Sequence, residues 1–474
     1  MNKLALITMT LCMSAVSMMP ATSMALEYSE LTTNEKMVHR RAVETAVWAM
    51  PLLNYKTMRD AHLEGAGLDY NDVGYYSKIQ TWRTQVTTPN NTTPYIFISW
   101  QLNQGPVVIE IPASSKDVKV FGTLMDSWQR PLDDVGVLGR DGGRGAKYLM
   151  VPPNYQGKIP TGYIMLEQAT NIGYTALRPI IADASAESLK EAEAWTKQIN
   201  VYPLAQAANP RKTKHIDLHE KFIDGIVEFN AEMFENIHSI IQEEVVEEKD
   251  LAIMGQLKGI GIEKGEKYQV NARKLEIFQD AAEQAQEYLK DQLFNVNTSK
   301  FYGDQRQWRN LAPKAGLQTI FSWLYPNHLA LDARASTYYS AFTSVKNFGA
   351  ATYYLMDSYD SNGQALDGGK NYQMTIPADV PVKHFWSVLA HDADTAGWFK
   401  HQPKAGVASS DKGLVENEDG TVDIYFGPQA PKGKEANWVP TTAEKNYFLL
   451  FRFYGPTKEV FIKNWKLNDL VMMD

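Results

Sequence analysis

Cysteine is almost absent from this chain. Its 474 residues contain one, Cys12, inside an N-terminal stretch with the pattern of an export signal. Once that stretch is removed no thiol remains, so disulfides, a cysteine nucleophile and thiolate metal sites are excluded together. No Gly-x-Ser-x-Gly occurs, so no local signature supports a serine nucleophile. No short-period repeat is visible. Beyond the N-terminal stretch, no apolar run approaches the roughly 20 residues that a membrane-spanning helix needs. Positive charge is the scarcer sign: 47 Lys and Arg face 55 Asp and Glu, a formal charge of −8. That balance argues against nucleic acid and anionic membranes as main partners.

The signal reading rests on three features. Lys3 gives a positive start, Leu4 to Met19 is mostly apolar or small, and Ser23-Met24-Ala25 places small residues where a signal peptidase reads. Thr8, Thr10, Ser14 and Ser17 interrupt the apolar run. Cys12 lacks the preceding small residue and the late placement of a lipid-anchored cysteine. The expectation is cleavage after Ala25 and a periplasmic or secreted product with no integral membrane segment. Without disulfides, such a protein depends on core burial, and about 450 residues can bury a substantial core.

Local patterns divide the rest. Thr32 and Glu35 fit a capping box at the start of a helix, continued by Ala42, Val43, Ala46, Val47 and Met50 at helical spacing. Pro51 is expected to kink or end it. From about 87 to 181, short strands take over. Tyr95, Phe97 and Ser99 face one way, and Ile96, Ile98 and Trp100 the other. Residues 182 to 300 read as helical, with a helix from Ser185 to Ile199, a long amphipathic one from His219 to Glu248 and another from Asn271 to Leu293. Beyond a short helix at Ala330 to Val345, strands return. In the last, Tyr447, Leu449, Phe451 and Phe453 alternate with Phe448, Leu450, Arg452 and Tyr454. Many short strands joined by turn residues indicate sandwiches. The expected fold is α+β, mainly β: two jelly-roll-like β-sandwich domains with a helical insertion between them. The expected divisions are a signal (1–25), an N-terminal helix with the first sandwich (26–181), the helical region (182–300) and the second sandwich (301–474).

Two series of landmarks resemble known families. Thr88-Pro89-Asn90-Asn91-Thr92-Thr93-Pro94-Tyr95, the strand after it, Gln104-Gly105-Pro106-Val107 and Asp126-Ser127-Trp128 resemble domain of unknown function 1254. Asp360-Ser361-Asn362-Gly363, Phe385-Trp386-Ser387, Asn417-Glu418-Asp419-Gly420, Asn437-Trp438 and Arg452-Phe453-Tyr454-Gly455-Pro456 resemble domain of unknown function 1214. Order and spacing match along essentially the whole chain after the signal. The resemblance implies an exported bacterial protein with two sandwich domains and a helical portion, without a settled activity. Where that family often carries Asp, this chain has Thr92. The Arg-Tyr pair of many relatives is also missing around His401 to Gly406.

Candidate chemistry is sparse. Asp126 and Glu167 at strand ends are candidate acid and base for a glycan, with Trp128 as a stacking platform. Asp392, with His391, Asp394 and His401 in the exit loop of a strand from His384 to Ala390, is a third candidate catalytic group. Asn90, Tyr95, Trp128 and Arg452 are candidate ligand-binding residues. Asn90 and Asn91 fit a turn made by side-chain to backbone bonds. An Arg on an apolar strand must find a partner, either a carboxylate such as Asp423 or an anionic ligand; the internal pair is expected for Arg452. His215 and His219 have helical metal-ligand spacing, but not the order of a zinc protease, and an exposed helix start is the ordinary reading. Asp141 to Lys147 reads as a turn rather than an anion cradle. No metal and no cofactor is expected. The leading functional expectation is binding of a glycan or other polar small molecule in a cleft lined by Asn90, Tyr95, Asp126 and Trp128. An acid-base hydrolase or lyase acting on glycoconjugates, and a structural oligomer, are the alternatives.

Overall fold

The computed structural model describes residues 27–181, 183–342, 345–347 and 352–473. The export-signal reading, its cleavage point and Cys12 lie outside them. The fold is α+β, with two β-sandwich bodies and a helical body.

In the first body a six-stranded sheet runs His215–Asp217, Val73–Tyr75, Ile96–Gln101, Ile172–Ile180, Lys119–Asp126, Pro131–Gly136. A four-stranded sheet, Asn200–Pro203, Val107–Ile111, Ala146–Val151, Ile164–Glu167, covers one of its faces. Ile96, Ile98 and Trp100 enter the core between these sheets. Phe97, on the opposite pleat, joins the helical core, as period-two alternation dictates. In the second body Arg309–Asn310, Thr352–Asp357, Tyr447–Tyr454, Trp386–Asp392, Gly406–Ala408 form a five-stranded sheet. Its partner sheet runs Trp438–Pro440, Val422–Gly427, Tyr372–Ile376, Val471–Met472. Tyr447, Leu449, Phe451 and Phe453 fill this second sandwich, while Phe448 and Leu450 leave it for the helical core. The outer faces of both large sheets therefore meet a shared third core.

The centre of that core is helix Thr33–Asp60. Its capping box forms as expected: the Glu35 N–H donates to Thr32 Oγ1 (3.2 Å), and the Thr32 N–H to Glu35 Oε2 (2.9 Å). Pro51 does not end it; the helix runs on to Asp60. Every residue from Thr45 to Lys56 is buried. A proline inside a helix costs about 3 kcal/mol, and each large apolar side chain buried beside it contributes roughly 1.5–3 kcal/mol, so packing wins. The Pro51 carbonyl accepts from Gln129 Nε2 at 2.7 Å.

Two further expectations are corrected. The long helix from His219 to Glu248 is only Glu232–Glu243. Ahead of it, His215–Asp217 pairs in parallel with Val73–Tyr75, and Ile223–Asp224 with Thr84–Gln85. Leu218 and Ile223 are buried at 0 % exposure; their apolar spacing reflects burial beside strands rather than a helical stripe. His215 consequently lies on a strand and shares no helical face with His219. The turn at Asp141 connects the two sheets of the first sandwich. Its own carboxylate accepts the Gly136 N–H (2.7 Å), the Gly145 N–H (3.2 Å) and the Tyr148 hydroxyl (2.9 Å), which fills the place an anion would take.

Candidate functional site

Where the two large sheets approach each other, a cavity of about 160 Å³ opens between them. The first body supplies Asn90, Tyr95 and Arg178. The second supplies Tyr354 and Arg452, and the turn Ala61–Gly65 after the central helix supplies His62. A larger chamber of about 520 Å³ abuts it and shares Arg178, Tyr354, Leu311, Ala176 and Ala341 as a common wall. Among the described residues, neither lining contains Asp, Glu or Lys.

Strand register places the cations. Tyr354 and Arg452 are direct antiparallel partners, which puts both side chains on one face of the sheet. The Arg452 guanidinium lies 5.8 Å from the Tyr354 ring centroid. Ile96 pairs with Leu177, so Arg178 follows next to Tyr95, with its guanidinium 5.7 Å from that ring and 5.4 Å from the ring of Phe121.

Arg452 is 2 % exposed. It donates to Asn90 Oδ1 (3.2 Å) and to the carbonyls of Thr88 (3.2 Å) and Pro89 (3.0 Å). The expected pair with Asp423 does not form; Asp423 accepts from the Thr375 hydroxyl at 2.6 Å. Asn90 Oδ1 also accepts from the Thr92 N–H (3.1 Å) and the Thr92 hydroxyl (2.9 Å), which makes the expected Asn turn. Tyr454 closes the group through the Thr92 hydroxyl at 2.9 Å. The Arg178 guanidinium lies close enough to the Tyr354 phenol to stabilise its ionised form. Arg59, Arg130, Arg140, Arg211 and Arg273 each meet a carboxylate. Among the described residues, no ion pair joins Arg178 or Arg452 to an acid.

These charges shape the titration of their neighbours. Burial disfavours the Tyr354 phenolate, but the guanidinium groups of Arg178 and Arg452 outweigh it and hold the phenol below its ordinary value. Burial raises Tyr454. His62 is held down at about 4 by burial, against the bond between its Nδ1 and the Met58 carbonyl (2.8 Å). It is neutral at pH 7, with Nδ1 as donor and the Nε2 lone pair left as an acceptor. The site thus combines two fixed cations, one acidified phenol, a neutral imidazole and apolar walls.

The other sequence candidates lie elsewhere. Asp126 and Trp128 do not line this cavity. Asp126 accepts from the Arg130 backbone (2.9 Å) and Arg130 Nε (2.6 Å). Trp128 is buried under the helices, 4.9 Å from Trp48 between ring centroids, with Lys249 and Arg334 over its face. No sugar can stack there. Glu167 is exposed on the edge strand of the four-stranded sheet. Asp392 is in the second body, accepting from the Asp394 N–H (2.8 Å) and Lys445 Nζ (3.2 Å). None of the three candidate catalytic carboxylates lines either cavity. His391 is fully buried, stacked on Phe448. Among the described residues no group of His, Cys, Asp and Glu is placed to hold a metal ion, and no helix is long and apolar enough to cross a membrane. Sequence reasoning found Asn90, Tyr95 and Arg452 but missed Arg178, Tyr354 and His62. An arginine alternating with Tyr174 and Ala176 was the available signal for Arg178.

Fold and site define a two-sandwich α+β protein with a cationic cavity between its bodies. Residues 70–203 match the family described as "Protein of unknown function (DUF1254)", and residues 351–458 match "Protein of unknown function (DUF1214)". The chain belongs to the family in which these two domains are paired. Asn90, Tyr95 and Arg178 fall in the first match, Tyr354 and Arg452 in the second. The crystal structure of the VPA0106 protein from Vibrio parahaemolyticus has a similar fold: TM-score 0.55 at 17% identity, covering 93% of this chain and 100% of that one. A putative uncharacterized protein from Burkholderia cenocepacia aligns with a TM-score of 0.41 at 12% identity, covering 93% of this chain and 95% of that one. No curated protein sequence matches the chain.

Proposed function

We propose that this protein binds a small organic anion in the cavity between its sandwiches, on the periplasmic or extracellular side to which its N-terminal signal pattern directs it. The observation that carries this reading is the pair of guanidinium groups, Arg178 and Arg452, in a lining that, among the described residues, has no carboxylate. Even with Tyr354 ionised, these groups carry net positive charge. Arg452 is buried and Arg178 half-buried; a charge withdrawn from water without a counter-ion is costly, and a ligand carboxylate supplies the missing partner through the planar fork of Arg178. A neutral glycan would leave both cations uncompensated. The aromatic and aliphatic walls match the mainly apolar lining common to small-molecule sites.

The test is calorimetric titration of the protein with carboxylates at low and high salt, comparing wild type with Arg178→Gln. A charge-assisted bond contributes about 1.5–3 kcal/mol, so the variant should bind roughly 10- to 100-fold more weakly. Wild-type binding should also weaken with salt. Equal affinity in a folded variant, or no carboxylate bound by the wild type, would overturn the reading.

A further inference from the structure

The second chamber gives that anion a shape. It is about three times the volume of the first, and phenylalanine, leucine, alanine and valine supply half of its lining residues. Arg178 and Tyr354 stand in the partition and face both spaces. A carboxylate held on them needs no passage through the wall for its remainder to lie in the larger chamber.

The chamber's mouth is also apolar. Leu138, Leu317 and Phe461 line it, yet they are 39%, 44% and 49% exposed. Their chain neighbours Ile320 and Ile462 are 44% and 56% exposed. Single exposed apolar residues are ordinary, whereas a group of them around the opening of an apolar chamber marks an interaction site. The charged groups converge at one end only, while the neutral side chains of Thr123, Asn310, Thr337, Asn347 and Thr352 are interspersed among the apolar ones elsewhere. Arg178, Arg452, Asn90 and Tyr454 lie at or beyond the partition, and the far walls offer no charge.

From this arrangement we infer that the ligand is an amphiphilic monocarboxylate: an anionic head on Arg178 and Tyr354, and a single extended hydrocarbon tail in the second chamber, entering past Leu317 and Phe461. This rests on the anion reading above and adds the tail. The size fits, since sites for small molecules run from roughly 300 to 1,000 Å³. The first chamber, closed by the Arg452–Asn90 group, is left for water or a small polar substituent near the head.

A homologous series separates tail from head. Butyrate, hexanoate, octanoate and decanoate would be titrated into the full protein, with the straight-chain alcohols of equal length as controls. Each methylene moved from water into the chamber should tighten binding about fourfold, and the alcohols should bind far more weakly than the acids. Ala312→Trp, in the wall of the second chamber only, should abolish the gain with length and leave butyrate unchanged. Leu317→Ser, at the exposed mouth, is the milder variant and should flatten the slope in part. Affinity independent of chain length would overturn the tail and leave the anion reading intact. So would an unchanged slope in both variants. Acids and alcohols binding equally would overturn the head, and with it the proposed function. No binding by any member would overturn both.

Discussion

Arg452→Met tests whether the two bodies are joined through this cavity. The guanidinium donates three hydrogen bonds to the segment Thr88 to Asn90, more than 360 residues away in sequence. Asn90 Oδ1 keeps its Thr92 donors when Arg452 is removed. Among the bonds Arg452 makes, the Thr88 and Pro89 carbonyls are the ones left without a replacement. Leaving a buried acceptor unsatisfied costs about 1–3 kcal/mol, so two cost roughly 2–6 kcal/mol, reduced by whatever water enters from the cavity and by relief of burying the charge itself. The expected loss is about 3 kcal/mol. Arg452→Lys should fall between, because an ammonium is a point charge without the planar fork that reaches three acceptors. Urea denaturation gives the loss, and amide exchange localises it: residues 88 to 95 should lose protection, while strand Val422–Gly427 in the far sheet should not. A variant within 1 kcal/mol of wild type, with unchanged exchange at 88 to 95, would refute the clamp.

Two other substitutions separate stability from binding. Asp126→Asn removes the charge facing Arg130, which still has Glu247 at 2.9 Å; stability should fall by about 1.5–3 kcal/mol while carboxylate affinity stays within about twofold, and a tenfold loss of affinity would return Asp126 to the site. Asp357 is fully buried, and burial pushes its carboxyl well above the ordinary range, with Asp469 adding to the effect and the Tyr359 N–H opposing it. Its folded form therefore holds a proton that the unfolded chain releases, so its contribution is complete below the unfolded pKa near 4 and is lost as pH rises toward the folded value. Asp357→Asn keeps the shape and cannot ionise. The melting temperature of the variant minus that of wild type should grow between pH 5 and 8, and a constant difference would sink the assignment. Glu244, raised to about 7 by burial, drifts in the same direction in both proteins and cancels in the difference.

What was legible in the sequence follows from the range of the forces involved. Alternation along Ile96–Gln101 and Tyr447–Tyr454 gave the buried faces, because the pleat is local. It also singled out Arg452, since a cation on an apolar strand must be partnered. The partner itself was not legible: three acceptors on a distant loop replaced the carboxylate expected nearby. Among the strands not read from the sequence, two were hidden by their composition. Ile172–Ile180 contains Gly173 and Pro179, which mimic turn signals, and Pro131–Gly136 carries Asp133 and Asp134, the latter buried and accepting from the Thr123 hydroxyl at 2.7 Å. Losing the first of these concealed Arg178. Asp126 and Trp128 were grouped with Asn90 because all lie near strand ends, yet the register separates them. Along Ile172–Ile180, Gly173 pairs with Asp126 and Arg178 with Phe121. Five residues of strand span roughly 17 Å, so the carboxylate and the cavity cation sit at opposite ends of the same sheet.

Thr92 connects this chain's departure from its relatives to the charge of the cavity. The family resemblance implies an Asp at that place in many relatives. Here Thr92 Oγ1 and Arg452 Nη1 both donate to Asn90 Oδ1, at 2.9 and 3.2 Å. A carboxylate grown from the same backbone position would stand beside the guanidinium and neutralise it within the protein. With threonine present, Arg452 is held by amide and carbonyl dipoles, which orient a charge without cancelling it. Arg178, contributed by the other domain, is held by a phenol and two aromatic faces. Among the described lining residues, each domain thus brings one arginine and no carboxylate to the space between them. On the anion-binding reading proposed above, pairing the domains is what brings two cations to one ligand; a single arginine in water would attract an anion only weakly, because screening removes most of the attraction.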